Sequence, residues 1–438
     1  MYSVLISLVS VAFVLGVMIL IHEWGHYIAA KLCGVTVKVF SIGFGTRLIG
    51  FERNGTDYRI SALPFGGYVK MAGDNPMEES SGDPGEFNSH PRWHRFIIAI
   101  AGPAMNLIFA FVVLTLLFHF HYPQPLNAGK PLTVGYVDPH SPAEAAGLQA
   151  GDVIVAVQGN GHPTWQQVQE QLALNPNQPV QFAIERGGVQ KHITVTPKVE
   201  QPNQTGSIDF DVSEPMVITQ IDPSFPAANA GMKLGDTVVA VNGQPVYSIE
   251  GFRKHVQASA GHPLAVTVRR DGKDLNLLVA PKSTTDASGT HYAIGIYSDP
   301  IKWVKLPLGE AITRSVQSNT ENAKLILVLV KKMAERKVSM KAMSGPIGIA
   351  QMSGEVARMP GWSPLLEFMC LISINLGVMN LFPIPILDGG VILLLLIEAV
   401  MRRDISLNLK ERIYQASFVF LVLFAAIVVF NDVVKLHG

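Results

Sequence analysis

Ile21-His22-Glu23-Trp24-Gly25-His26 stands inside an apolar run, where a carboxylate and two imidazoles are costly. If residues 5 to 30 form a helix, His22 and His26 lie one turn apart on the same face, so both can reach one metal ion. Glu23 then lies beside them, placed to act on a metal-bound water. The HExxH spacing therefore predicts a zinc site, although chance alone yields it about once in a hundred chains of this length.

The apolar run before this motif supports the prediction. Residues 5–21, LISLVSVAFVLGVMILI, carry no charge, and with their continuation they can cross a hydrocarbon core of about 30 Å. Ionisable groups in such a segment need a partner, which is either a metal or, alternatively, hydrogen bonds that satisfy two core histidines. We expect a membrane helix rather than a signal peptide, because the run lacks a basic n-region and an A-x-A site.

Composition places the chain among proteins that are partly membrane-embedded. It has 438 residues, too many for one ordinary domain, with a mean hydropathy of +0.28 and 16% charged residues. The formal net charge is zero. Since no basic stripe is present to neutralise phosphates, no nucleic-acid partner is expected. Cys33 and Cys370 are too few for a disulfide framework or a thiolate zinc site, and we interpret both as buried or reduced thiols.

Further apolar segments predict additional membrane spans. They run from Phe96 to Phe120, from Leu365 to Phe382 with a continuation from Ile386 to Val400, and from Ala416 to Phe430. Gly102-Pro103 predicts a kink in the first of them, and Pro383-Ile384-Pro385 interrupts the next. The chain should therefore cross the membrane about four times.

The segment between the first two spans predicts a small β-sheet lying against the membrane face. Residues 35–71 alternate apolar and polar side chains, and glycines interrupt the pattern at positions 43, 45, 66 and 67. Residues 74–91 are polar and rich in Pro, Gly and acids, which is typical of a surface loop.

Residues 127–283 have the composition of a soluble α/β protein and contain an internal repeat. Asp138-Pro139 and Gly151-Asp152 recur 84 positions later as Asp222-Pro223 and Gly235-Asp236. Each copy predicts a strand, a turn, a short helix, a strand, a helix and two strands. The pattern resembles PDZ domains, particularly the permuted kind of bacterial membrane-linked proteases. Such modules bind an extended peptide as an added strand; the alternative is a pair of spacer domains.

Two further features concern the membrane surface. Residues 306–337 mix apolar and charged residues at helical spacing, which predicts an amphipathic interfacial helix or, alternatively, a helix of the soluble part.

Lys and Arg are concentrated between the first two spans and just before the last span, and the positive-inside rule assigns both loops to the cytoplasm. The repeats then lie on the outer side, and the metal lies nearer the cytoplasmic leaflet.

A third metal ligand is needed, because a catalytic zinc takes three protein ligands and keeps one position open. In the HExxHxxGxxH pattern the further glycine and histidine would fall at Ala29 and Leu32, so that pattern fails. The best candidate is Asp388 in Leu387-Asp388-Gly389-Gly390, where the glycines free the backbone to approach the metal. The alternative is that Asp388 caps the helix that begins at Gly389.

Several motifs together resemble the site-2 protease family of intramembrane zinc metalloproteases. They are HExxH at the end of the first span, GFG at 43–45, PFGGYVKM at 64–71 and NLFPIPILDG at 380–389. With the PDZ-like pair between the second and third spans, the resemblance covers essentially the whole chain. It implies that Zn²⁺ is held by His22, His26 and Asp388, that Glu23 is the catalytic glutamate, and that Asn380 and Asn375 hold the substrate backbone.

The resemblance also implies substrates and location. Members of the family lie in the bacterial inner membrane and cleave single-span membrane proteins after their outer domain has been trimmed, typically an anti-sigma factor or remnant signal peptides. The active site would face the cytoplasm, and the periplasmic PDZ-like domains would act as a size filter or bind peptides. We expect the β element around Phe44, with its neighbours Gly43 and Gly45, the Gly66-Gly67 strand and Asn380 to accept the unwound substrate backbone.

Two other classes of function remain open at the level of sequence. A non-proteolytic membrane scaffold would recruit partners through the PDZ-like modules and hold a structural metal. A transporter would also have broken helices with a midplane acid, but no inverted repeat is visible in the spans.

The predicted fold class is a multi-span α-helical membrane protein with a membrane-associated β-sheet and two inserted α/β PDZ-like domains. The predicted domains are 1–34 (first span), 35–95 (β region and loop), 96–121 (second span), 127–200 and 210–284 (PDZ-like), 300–362 (interfacial helical region), 363–400 (third span) and 413–433 (fourth span).

Overall fold

The computed structural model describes residues 2–74, 82–200, 205–286 and 289–437. The sequence predicts a polar loop over 74–91, and residues 75–81 of that loop lie outside the described residues. By internal contacts the chain divides into two units. The first comprises Met1–Tyr122, Lys305–Lys331 and Met343–Gly438, and the second comprises Pro123–Val304 and Lys332–Ala342.

The first unit starts with a long helix and a β-hairpin. Its elements are α1 (Tyr2–Cys33), β1 (Val37–Arg53), β2 (Thr56–Met71), a 3-10 turn (Phe87–Ser89) and α2 (Arg92–Phe120). Both strands bend, so Phe40 of β1 lies opposite Val69 on one side and Tyr58 on the other. The hairpin therefore forms a compact sheet, as the alternation predicts, with the end of β2 along one edge beside α1.

The second unit holds most of the strands. Its elements are β3 (Tyr122–Pro125), β4 (Val134–Val137), α3 (Pro142–Ala145), β5 (Val153–Val157), β6 (Asn160–Gly161), α4 (Trp165–Ala173), β7 (Val180–Arg186), β8 (Val189–Val195), β9 (Lys198–Glu200), β10 (Thr205–Ser207), β11 (Phe210–Val212), β12 (Met216–Ile221), α5 (Pro226–Asn229), β13 (Thr237–Val241), β14 (Gln244–Pro245), α6 (Ile249–Ala258), β15 (Leu264–Arg270), β16 (Lys273–Val279), β17 (Lys282–Asp286), β18 (Gly289–Ala293), β19 (Ile296–Ser298) and β20 (Ile301–Val304).

Within this unit the internal repeat becomes two similar modules. The pairs β5 and β13, β7 and β15, and α4 and α6 each begin 84 positions apart. In each module an arginine at the end of a strand reaches a nearly fully buried aspartate: Arg186 Nε lies 2.6 Å from Asp152 Oδ1, and Arg270 Nε lies 2.7 Å from Asp236 Oδ1. The G-D dipeptides of the repeat thus supply the same ion pair twice.

Each module is closed by a strand outside the range that its sequence repeat predicts. β11 pairs with β4, and β19 pairs with β12. The predicted domains end at residues 200 and 284, before these strands. The difference arises because the closing strands are three residues long and lack repeated dipeptides, so only the pairing shows them.

The chain ends in helices that belong mostly to the first unit. They are α7 (Leu308–Ala334), a 3-10 turn (Met340–Ala342), α8 (Pro346–Val356), α9 (Ser363–Asn380), α10 (Asp388–Met401) and α11 (Leu407–His437). In the first unit α2 packs against α1, α9 and α10, while α11 contacts α8. The helix α2 therefore lies at the centre of the arrangement that positions the site.

Four of the described helices are long and apolar enough to cross a membrane, as the sequence predicts. The candidate spans are Leu5–Cys33, Arg92–Phe120, Ser363–Asn380 and Leu407–Lys435. The predicted segment 363–400 is interrupted, as its prolines predict, by a turn after Asn380 that separates α9 from the 14-residue α10. Pro383 and Pro385 explain the break, because neither can donate a helical hydrogen bond.

Candidate metal centre

The two histidines of the HExxH motif converge because α1 is helical throughout the motif. His22 Nε2 and His26 Nε2 lie 3.2 Å apart, and both side chains are buried. Gly102 of α2 lies directly against the His26 ring, and a Cβ built there would overlap the ring at Nε2. Only glycine lets α2 pack this closely on the site.

Asp388 joins the histidines from the start of α10. Its Oδ2 lies 3.1 Å from His22 Nε2, and its Oδ1 lies 3.4 Å from His26 Nε2. The alternative that Asp388 caps a helix is wrong, because the N-cap is Leu387 and no side chain caps this helix end. The following glycines accommodate the preceding turn: a Cβ at either Gly389 or Gly390 would overlap a backbone carbonyl oxygen, that of Leu381 or Ile384.

The three side chains fit a zinc ion. One ligand atom from each of His22, His26 and Asp388 lies within 4.8 Å of the other two, and the closest approaches are 3.1 to 3.4 Å. Tetrahedral zinc with bonds of about 2.0–2.1 Å separates its ligand atoms by about 3.3 Å. Two imidazoles and one carboxylate leave the fourth position open, which is the donor set of catalytic rather than structural zinc.

The Nδ1 atoms of both histidines have neighbours in α2 that can accept their protons, which leaves Nε2 available to a metal. His26 Nδ1 donates to the carbonyl of Ile98 at 2.8 Å, which leaves the Nε2 lone pair free. The Asn106 amide lies 3.3 Å from His22 Nδ1, and Asn106 Oδ1 is buried without a partner among the described residues. The two orientations of a carboxamide differ only by exchange of O and N. With the carboxamide oriented so that Oδ1 faces His22, Oδ1 accepts the Nδ1 proton and the Nε2 lone pair of His22 is left free for a metal.

Glu23 lies between the histidines and the β-sheet. Its Oε2 accepts a hydrogen bond from the Val69 amide of β2 at 3.0 Å. The contact fixes one carboxylate oxygen and ties the edge of the sheet to α1. Glu23 also lines a cavity of about 510 Å³ that contains His22, His26 and Asp388.

The predicted substrate-binding residues separate into those near the cavity and those farther away. Asn380 lines the cavity, and its Nδ2 lies 3.4 Å from His22 Nε2. Asn375 lies in α9, half-buried, and does not line that cavity. Phe44 stacks on Tyr68 in the sheet. Gly43, Gly45 and Gly66 adopt positive φ angles at the bends, and a Cβ at Gly67 would come within 2.6 Å of the Ser41 carbonyl oxygen.

Sequence reasoning missed three charged side chains that line the same cavity. Arg95, Glu398 and Lys410 all line it. Glu398 is 1% exposed, and its Oε1 lies 2.8 Å from Lys410 Nζ. A signal existed, because Glu398 stands inside the apolar run of α10, just as Glu23 stands inside that of α1.

Comparison with known proteins identifies the family to which this geometry belongs. The model of peptidase family M50 matches residues 10–424. The chain belongs to peptidase family M50. Among its relatives, the regulator of sigma-E protease RseP of Escherichia coli is 32% identical over the full length of both chains, as is RseP of Salmonella typhimurium. A Vibrio cholerae protein, provisionally named a zinc metalloprotease, is also 32% identical over both full lengths.

A solved structure also matches part of the chain. It is the PDZ domain of an SdrC-like protein from Listeria monocytogenes, with 19% identity, covering 19% of this chain and 86% of that one. Its TM-score of 0.18 does not establish a common fold.

Family membership fixes the class of chemistry. M50 peptidases are the site-2 proteases, so this membrane-embedded chain is a zinc metalloprotease of the intramembrane type.

Proposed function

We propose that this protease cleaves the membrane-spanning segment of single-span proteins whose outer domain has already been removed. The observation that carries the proposal is the convergence of His22, His26, Asp388 and Glu23 on one cavity formed by apolar helices. The names of the RseP relatives, regulators of sigma E, support an anti-sigma factor as one substrate. Remnant signal peptides, a second substrate class, rest on the resemblance to site-2 proteases alone.

We assign roles to individual residues on the geometry above. His22, His26 and Asp388 hold the metal. A zinc ion bound there would polarise the scissile carbonyl and would lower the pKa of a bound water towards 7. Glu23 takes the proton of the attacking water on the oxygen that Val69 leaves free, and later delivers it to the leaving amine.

The substrate must be unwound before it can react. A membrane-spanning helix satisfies every backbone group internally, and each group freed in hydrocarbon costs several kcal/mol. The edge of the sheet formed by the end of β2 supplies replacement partners, since Val69 already presents its amide to Glu23. Asn380 offers a carboxamide beside His22. Helix-destabilising residues in the substrate should therefore accelerate cleavage.

In this proposal the PDZ-like modules control which substrates reach the active site. They are inserted between α2 and α7, and the basic loops of the chain lie elsewhere in the sequence. By the positive-inside rule those loops are cytoplasmic, which assigns the modules to the periplasm of a cell with an inner membrane. There they exclude substrates that still carry a folded outer domain, or bind the newly exposed peptide end.

The test compares wild type with Glu23→Gln, which removes the base but spares the ligands. The purified, detergent-solubilised proteins are incubated with a tagged single-span substrate lacking its outer domain, and zinc is quantified on both. Cleavage should fall by at least about a hundredfold in the variant while zinc is retained. No cleavage by either protein, with zinc bound and several substrates tried, would favour a membrane scaffold instead.

A further inference from the structure

The active-site cavity is lined by a buried arginine that makes no close ion pair among the described residues. Arg95 stands in the first turns of α2 and is 8% exposed, and its side chain lines the cavity. Its Nε is buried and has no hydrogen-bond partner within the described ranges. Removing such a donor from water without replacement is costly.

The carboxylates near Arg95 are already paired with other cations. Asp404 lies in the loop between α10 and α11, and its Oδ1 is 2.7 Å from Arg92 Nη2. The hydrogen bond from Arg92, with the charges of Arg92, Arg95 and Lys410, holds the pKa of Asp404 below its usual range. Glu398 is paired with Lys410 and also accepts the Ile405 amide at 3.1 Å. Asp74, which also lines the cavity, accepts the Met71 amide at 2.8 Å. Arg95 therefore makes no close ion pair among the described residues.

We propose that Arg95 binds a carboxylate side chain of the substrate and so selects for an acidic residue beside the scissile bond. A guanidinium presents a planar pair of donors that matches a carboxylate. The cavity that contains Arg95 also contains Glu23, Asn380 and Asp388, so a peptide at the metal continues towards Arg95. The inference rests on the proposed proteolytic function and deepens it.

The spacing along α2 sets the position of the acidic residue. The carbonyl of Ile98 holds His26, and Arg95 lies three residues earlier, about 4.5 Å along the helix axis. An extended peptide advances about 3.3 Å per residue. The preferred carboxylate should therefore lie about one to two residues from the scissile bond, on the flank that faces the loop between α10 and α11.

The experiment measures binding separately from cleavage. Full-length Glu23→Gln protein in neutral detergent is titrated with fluorescent single-span peptides that carry Glu, Gln or Lys at each position of that flank. Cleavage of the same peptides is measured with Glu23 intact. At one position we expect Glu to bind at least about tenfold more tightly than Gln. A wild-type scan without any acid preference overturns the proposal, and this arm does not depend on whether a variant folds.

Variants of Arg95 then assign the preference to this residue. Arg95→Gln should abolish the difference between Glu and Gln peptides, mainly through KM. Arg95→Lys should keep part of it, and Arg95→Glu should prefer the Lys peptide. Arg403→Gln, an exposed change of the same charge in the neighbouring loop, should keep the preference. Equal loss of affinity for all peptides in Arg95→Gln would mean a structural role and contradict the proposal.

Two further outcomes separate the alternatives. If the effect of Arg95→Gln follows the content of anionic phospholipid in the micelles and not the peptide series, Arg95 binds lipid phosphate and the proposal fails. If acid-selective binding depends on Arg95 but no peptide is ever cleaved, the proposed proteolysis fails while the carboxylate site stands. If peptides are cleaved without any acid preference, the proposed proteolysis stands and the carboxylate site is wrong.

Discussion

At the scale of single residues, the proposed metal site depends on atoms that would not themselves touch the metal. A neutral imidazole can offer Nε2 only if Nδ1 carries the proton, and the acceptor on Nδ1 decides this. For His26 the acceptor is the Ile98 carbonyl, and for His22 it is Asn106. Both acceptors come from α2, so this helix sets the protonation of two side chains on α1.

Replacement of Asn106 should therefore weaken zinc binding. Asn106→Leu keeps the volume but removes the acceptor, and zinc affinity should fall about 10- to 100-fold. Competition with a chelator, followed by metal analysis of the intact protein, measures the change. Asn106→Asp is the matched control, because a carboxylate also accepts the Nδ1 proton and should retain zinc. Equal affinities for all three proteins would show that the contact does not orient His22.

At the scale of elements, α11 is held to α8 by a buried carboxylate. Asp432 is 3% exposed and accepts the backbone amides of Gly345, Ile347 and Gly348 at 2.9 to 3.0 Å. These amides lie at the start of α8, which has no other side-chain cap. One residue of α11 thus satisfies three otherwise unpaired donors.

The change Asp432→Asn should loosen this attachment. The substitution replaces one carboxylate oxygen with an NH₂ group, which cannot accept a hydrogen bond from a backbone amide. It also removes the negative charge, and hydrogen bonds to a charged acceptor are stronger than those to a neutral one. We expect hydrogen exchange at residues 345–348 to accelerate about 10- to 100-fold in detergent-solubilised protein. Val434→Ala, an exposed position on the same helix, should leave exchange unchanged. The same acceleration in that control would indicate general fraying of α11.

The repeated ion pair predicts acid sensitivity of the second module. Hydrogen bonds from Arg270 hold the pKa of Asp236 below its usual range, although burial opposes the shift. The pair therefore stabilises the folded module fully above the ordinary Asp pKa of about 3.9, and this contribution is lost as pH falls through the lower folded-state pKa. Asp236→Asn should remove the dependence.

Exchange in β13 and β15, compared between pH 6 and pH 3, measures this effect. Asp236→Asn should exchange about tenfold faster than wild type at pH 6, and the ratio should shrink towards pH 3. The exposed pair Arg269–Asp274 supplies the control, so Asp274→Asn should behave as wild type. A constant ratio between the two pH values would contradict the assignment to Asp236.

A feature could be predicted from the sequence when the residues that determine it lie close together in the chain. HExxH is a local motif, so helical spacing alone predicts that His22 and His26 lie on the same face of α1. Asp388 could be proposed as a ligand because a single acid in an apolar run needs a partner. The turn before α10 follows from its prolines. Asn106 and Arg95 could not be assigned roles, because the partner of Asn106 lies 84 positions away and Arg95 Nε has no partner among the residues that the structure describes. The strands that close the modules can be recognised only from their pairing in the structure.

At the scale of the whole molecule, the inserted unit can be removed without separating the two residues between which it is inserted. β3 and β20 pair with each other, and the Leu126 amide donates to the Pro300 carbonyl at 2.7 Å. Residues 127–299 can therefore be replaced by a short Gly-Ser turn that joins positions already in contact. The candidate spans and the residues of the metal centre all lie outside the deleted range.

This deletion tests whether the modules restrict access. Wild type should cleave a single-span substrate only after its outer domain is trimmed, whereas the deletion should cleave trimmed and untrimmed forms at similar rates. The reason is that the proposed metal ligands and base, His22, His26, Asp388 and Glu23, are all retained, whereas the modules to which the proposal assigns exclusion are removed. Zinc content and cleavage of the trimmed form establish that the variant is intact, and Glu23→Gln in the same background excludes a contaminating protease. If the variant still rejects the untrimmed form, selection lies in the membrane segments and the size-filter proposal is wrong.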